Sequence, residues 1–381
     1  VFGLTPLRRT FDAALRDLQS RRAEVRASAA YDLGLVGDED PRRAANALAP
    51  LVDDDAPEVR GAALTALGVL RARQHVERIA ARIDDEDSTV RQLAVMALAE
   101  AGGERALAML RVAAVSPHAD VRYQGLLGVL ALDPQEGFVL ALEALDGDDP
   151  WIASEAAEQL GRLFATDAAL RAGHRLGEGE RVRALAALRA RASGEASRVA
   201  LASAMALLRA GDESEVGRVC EFVRGVGTMA SREFQDFALD AIELLGGVTG
   251  DARGLCRDAL GAVAWRMMPT PERAAARAAL ARLGDPRATE AIVAQLRSVL
   301  PGRREAAVRL ARLARIEAAE GSLLGLLEDG SVDAYLVIDA LAVLGGERSR
   351  LVLGRMARTE ASTGLREAAR HALTAIEERL R

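Results

Sequence analysis

The residues that could carry catalysis are few and scattered. The four histidines, His75, His118, His174 and His371, are followed by Val76, Ala119, Arg175 and Ala372, and no two of them lie four residues apart. A zinc or di-iron centre needs several imidazoles or carboxylates brought to one helix face, as HExxH does, so these read as surface histidines. Cys220 and Cys256 are 36 residues apart. That spacing is neither a CxxC redox motif nor a zinc pattern, and it excludes a small disulfide scaffold. Both read as small core residues rather than nucleophiles. All 50 basic residues are arginine, so a GxxxxGK[ST] phosphate loop cannot occur. No GxGxxG follows a strand pattern and no GxSxG elbow appears. No catalytic residue, metal ligand or cofactor-binding residue is expected, and no cofactor.

Carboxylates do recur. Asp53, Asp84 and Asp146 stand six residues before Val59, Val90 and Ile152. A row of them could hold a cation. Calcium, however, needs six to eight clustered oxygens, and one carboxylate per turn does not supply them. The stronger reading is helix capping combined with pairing to Arg26, Arg60, Arg91 and Arg122, each just after an apolar residue.

The elements that position these groups follow from a repeat. Val25, Val59, Val90, Val121 and Ile152 are separated by 34, 31, 31 and 31 residues. After each, small or apolar residues fall at +4, +7, +8 and +11: Ala63, Ala66, Leu67 and Leu70 in one unit, Ala94, Ala97, Leu98 and Ala101 in the next. That is one face of a helix. An acidic turn and another helical stretch precede it, so each unit is helix, turn, helix. The pattern resumes with drift near Val199, Phe234, Glu272, Gly302, Asp333 and Leu365, giving about eleven units. Three stretches are expected within one continuous solenoid: a regular array over 1–162, irregular or degenerate repeats over 163–260, and a second regular array over 261–381. The composition agrees. Alanine is about a fifth of the 381 residues and aromatics are 3%, which suits helices packed through many small contacts.

The D-x-x-x-x-V-R-x-x-A-x-x-A-L-G pattern resembles the HEAT repeat, in particular its short bacterial, phycobilisome-lyase-like form. The resemblance implies an all-α, right-handed α-solenoid of about eleven helical pairs, an ARM-like superhelix whose second helices line a concave face. Stacking explains why such units need one another: a lone pair cannot bury its apolar stripe. Some HEAT-like proteins are di-iron hydroxylases with repeated His-Glu pairs, a pattern missing here. Others bind DNA and excise alkylated bases, which calls for a basic, aromatic face. Residues 1–150 instead carry 17 arginines against 25 acids, and residues 151–381 carry 33 against 31. No nucleic-acid partner is expected. Bilin attachment has no support beyond the fold.

Position +6 lies opposite the buried stripe at 100° per residue and should face the groove. It is Tyr31, Thr65, Met96, Leu127, Glu158 and Met205 in successive units, with Tyr123 added at +2 and Leu35 and Val69 at +10. Coverage by neighbouring helices is the competing explanation for these apolar residues. The partner-binding residues singled out are Tyr31, Met96, Tyr123 and Leu127. The expectation is a non-catalytic scaffold or adaptor binding a protein partner there, an amphipathic helix or extended segment with basic flanks. The alternative is an enzyme or nucleic-acid-binding protein with a site in the irregular middle, built from Glu178, Glu180, His174, Arg181, Arg183 and Cys220 with Trp265 just beyond. No 18-residue apolar run spans a membrane. A cytoplasmic location is expected, and the start at Val1 leaves an upstream signal or anchor open.

Overall fold

The computed structural model describes residues 9–164, 177–228 and 234–380. Among the described residues lie 22 α-helices and no strand, which taken two by two in chain order make eleven pairs. The chain divides into two compact units, Val1–Ala187 and Leu188–Arg381.

In the first unit α1 (Phe11–Asp17) leads to α2 (Ala23–Val36), and α3 (Pro41–Leu48) to α4 (Pro57–Val69). They are followed by α5 (Val76–Ala80), α6 (Ser88–Ala101), α7 (Glu104–Ala113), α8 (Ala119–Leu132), α9 (Pro134–Asp146) and α10 (Pro150–Phe164). Local sequence sets these boundaries. Proline opens α3, α4, α9 and α10, where its missing N–H costs nothing. Asp40, Asp87 and Asp133 accept backbone N–H groups at the starts of α3, α6 and α9. Gly102 and Gly103, at φ +67° and +88°, turn the chain from α6 into α7.

The second helices pack in series, α2 on α4, α4 on α6 and α6 on α8. Leu67, Leu98, Ala63 and Ala94 are fully buried, as the helical stripe requires. The glycine of the A-L-G run has a packing reason. A Cβ on Gly34 would lie 3.0 Å from the Cα of Ala66, and one on Gly68 would lie 3.2 Å from the Cα of Ala97. The closest approach to backbone is at Gly125 in α8, whose Cβ would fall 2.4 Å from the backbone nitrogen of Ala114. Gly125→Ala should therefore push α8 off the end of α7 and cost about 1–3 kcal/mol. An unchanged urea midpoint would show that this helix contact is looser than described.

In the second unit the same scheme holds. Ala238–Leu245 packs on Pro271–Arg282, that helix on Pro301–Ala314, then Ala334–Leu344, then Thr363–Leu380. The helix register differs from the sequence expectation in places. Phe234 precedes its helix, and Phe237 and Ala238 are the buried residues there. Asp333 is not an apolar anchor but the cap, accepting from Tyr335 and Leu336 N–H. Turns of unequal length shift the phase by a few residues, and a spacing rule alone does not follow them.

Candidate partner-binding face

One edge of the first unit is built by the turn within each pair, and its chemistry is an arginine–aspartate ladder. Arg60 Nη1 donates to the carbonyls of Asp54 and Asp55 at 3.0 and 3.2 Å, and Nη2 to Asp85 Oδ1 of the next turn at 2.7 Å. Arg91 grips the carbonyls of Asp85 and Glu86 and reaches Asp120 at 3.1 Å. Arg122 holds Ser116 and Pro117 carbonyls and reaches Asp149 at 2.9 Å. Arg26 holds the Ser20 carbonyl and Asp54 through two bonds of 2.7 Å. Each guanidinium thus closes its own turn and staples the next, a task for a planar fork of donors that a lysine could not perform. In the second unit Arg273, Arg304 and Arg366 make the same bond, each to the carbonyl six residues back.

Pairing between repeats is as expected, but the aspartates differ from those singled out. Asp53 faces Arg78 and Arg82 at 2.9 and 3.4 Å, Asp84 is exposed, and Asp146 is the exposed last residue of α9. The ladder uses Asp54, Asp85, Asp120 and Asp149, each within 3.1 Å of the preceding arginine, with Glu86 a looser second partner of Arg60 at 3.5 Å. Asp54 is held below the ordinary carboxylate range, first by Arg26. For Asp85 burial pushes upward, and Arg60 and the Asp87 N–H outweigh it.

The second-helix face of the first unit is apolar. Tyr31 is 56% exposed and Met96 49%, Leu35 on α2 and Val69 on α4 are exposed as well, and Thr65, the +6 residue of α4, is half-buried and donates to the Gly61 carbonyl. Tyr123 and Leu127 on α8 are half-buried. Burial, then the charges of Glu155 and Glu158, hold the Tyr123 phenol above its usual range, so the apolar run ends against a carboxylate pair on α10. Position +6 does not keep this character. Met205 is fully buried, covered by its neighbours. In the second unit Asp240 pairs with Arg209, Asp339 lies 3.1 Å from Arg312, and His371 is exposed.

The residues proposed for a site in the middle are divided between the two units. Arg181 lies over the Phe164 ring and Arg183 over Phe138, at 5.1 and 5.5 Å. Glu180 accepts from the Gly177 N–H, and His174 lies outside the described residues. A cleft of about 210 Å³ in this region is lined by Leu201, Phe222, Phe234, Arg218 and Glu221, none of them in that set. His75 sits 2.9 Å from Asn46, and burial, then Arg78, lower its basicity. No group of three His, Cys, Asp or Glu could hold a metal among the described residues.

Two features escaped the sequence reading. Cys220 and Cys256, expected as small core residues, are buried and also in contact with each other. Met267 and Val299, 93% and 89% exposed, stand on turns that lead into adjacent second helices. The available signal was an apolar pair directly before a helix-opening proline turn, Met267-Met268-Pro269 and Val299-Leu300-Pro301, which core periodicity does not explain. Just before the first of these turns, the Trp265 ring carries two arginines, Arg277 and Arg287, at 5.2 and 4.9 Å from its centre.

Residues 45–131 match the HEAT-repeat family. No curated protein matches the chain by sequence. Among solved structures, an engineered protein is 18% identical with a TM-score of 0.36, covering 96% of this chain and 98% of its own. Human deoxyhypusine hydroxylase in complex with glycerol is 19% identical with a TM-score of 0.30, over 80% and 95%. The karyopherin Kap121p bound to the extreme C-terminus of the phosphatase Cdc14p is 15% identical with a TM-score of 0.42. It is matched over 97% of this chain and 46% of the karyopherin. Among the described residues no helix is long and apolar enough to cross a membrane.

Proposed function

Because this is a HEAT-repeat protein, matched as such over residues 45–131, we propose that it is a non-catalytic scaffold holding a protein partner along the second-helix face of the first unit. The observation that carries this reading is the run of exposed apolar side chains Tyr31, Leu35, Val69 and Met96 across three helices packed in series. An isolated exposed apolar residue needs no explanation, whereas a contiguous group does. Small residues bring these helices close, at Gly34 against Ala66 and Gly68 against Ala97. A stack narrowed on one side curves toward that side, and these close approaches support reading this as the concave face. Met and Tyr suit adaptable recognition. The acidic balance of residues 1–150 and Glu155 and Glu158 at the end of the run favour a segment with basic flanks. An amphipathic helix would meet the face through i, i+3, i+4 and i+7 anchors.

The test compares wild type with the Tyr31→Asp/Met96→Asp double variant as baits in extracts of the native host. Both side chains are exposed, so melting should stay within about 0.5 kcal/mol of wild type, while the main captured protein should be retained at least tenfold less, as expected when hot spots are lost. Equal capture by the folded variant would move the partner off this face. Leu127 is a poorer choice: being half-buried, its replacement by Asp should lower stability as well as binding.

A further inference from the structure

Cys220 and Cys256 are the only cysteines among 381 residues, and they touch. Their sulfurs are 3.9 Å apart and both side chains are fully buried. They stand on Val216–Gly225 and Arg253–Ala264, the first helices of two successive pairs, which pack against each other. A core residue touches about 6–12 others, so two cysteines placed at random among the buried positions would meet only roughly one time in ten. Alanine fills most small core positions here, and packing alone gives no reason to place two thiols face to face.

We propose that Cys220 and Cys256 form a cross-linking site that closes to an intramolecular disulfide with a small disulfide as oxidant, tying two successive repeats of the second unit together. The exchange balances. The Cys256 thiolate attacks one sulfur of the small disulfide, and the other sulfur leaves as a thiolate. Cys220, giving up its proton to that leaving group or to water, then attacks the Cys256 sulfur of the mixed disulfide and expels the second small thiolate. Two electrons pass to the oxidant, two protein S–H bonds are lost and one S–S bond forms. The order of attack follows from the pair itself. The Cys220 S–H donates to Cys256 Sγ. That hydrogen bond, then burial, holds Cys220 protonated, and the same bond draws Cys256 down. Closing the sulfurs to about 2.05 Å asks for side-chain rotation between helices already in contact. Burial makes local opening the slow step and, once the bond has formed, shields it from reduction.

The full chain should be equilibrated with oxidised glutathione from two starting points, folded and unfolded in urea then refolded in the same buffer. It is then denatured, treated with iodoacetamide and weighed intact. Both routes should give a species about 2 Da lighter than the reduced chain and free of alkyl groups, with one linked peptide pair containing Cys220 and Cys256. The melting midpoint should rise by roughly 5–10 °C over the reduced protein. A slow folded arm with a complete refolding arm supports the proposal, since burial governs the rate. The Cys220→Ala/Cys256→Ala variant should show no shift on oxidation. Two alkylated thiols from both starting points would overturn the proposal. So would glutathione adducts, linkage only between molecules, or an equal melting shift in the double variant.

Discussion

Asp85→Ala is expected to lower stability by about 3–5 kcal/mol, the usual effect of removing one partner of a buried ion pair. Arg60 and Asp85 side chains are only 6% and 3% exposed. The substitution leaves the Arg60 guanidinium with only the exposed Glu86 carboxylate at 3.5 Å, while the carbonyls of Asp54 and Asp55 still accept from Nη1. It also removes the acceptor for the Asp87 N–H just ahead of α6. In a stack held by nearest neighbours the damage should centre on α4 and α6. Hydrogen exchange should therefore rise there before it rises in the second unit. The same pairing sets an acid limit. The Asp54 and Asp85 carboxyls are depressed in the folded chain. Their contribution is thus present above the unfolded value near 4 and is lost as pH falls through the lower folded values. Acid unfolding of the Asp85→Ala protein should be shallower below pH about 4 than that of wild type, because one of these carboxylates is already gone. Identical urea midpoints at neutral pH would show that the pair contributes nothing net.

Leu98→Ala should cost about 2–5 kcal/mol. Leu98 is fully buried at the +8 position of α6, within a cluster that also holds Leu64, Leu67, Leu110 and Val129. The side chain therefore fills space between successive pairs, and its loss leaves a cavity at a junction of the stack. The small residues around it, Ala94, Ala97 and Ala101, have little reach with which to refill the space, which argues for the upper part of the range. A chemical denaturation series gives the number, and a change below about 1 kcal/mol would mean that the stack collapses freely around this position.

Much of this protein is legible in the amino-acid order. The 31-residue spacing of Val59, Val90, Val121 and Ile152 places the helix pairs, because a helix that must bury one face repeats its apolar residues every 3.6 positions. Leu67, Leu98, Ala63 and Ala94 are buried for that reason. Tertiary structure decided what lies beyond one helix. Met96 and Met205 share the +6 offset, yet Met96 is open and Met205 is enclosed, since exposure depends on which neighbour stands above. Asp53 and Asp54 differ by one position in the same turn, and only the second reaches Arg26. Side-chain direction in a turn is set by backbone angles that periodicity does not encode. Cys220 and Cys256, 36 residues apart in sequence, meet because stacking superimposes successive first helices. The spacing is close to one repeat length, but with the Val-Arg marker lost in that stretch the amino-acid order does not set the register that brings one sulfur onto the other.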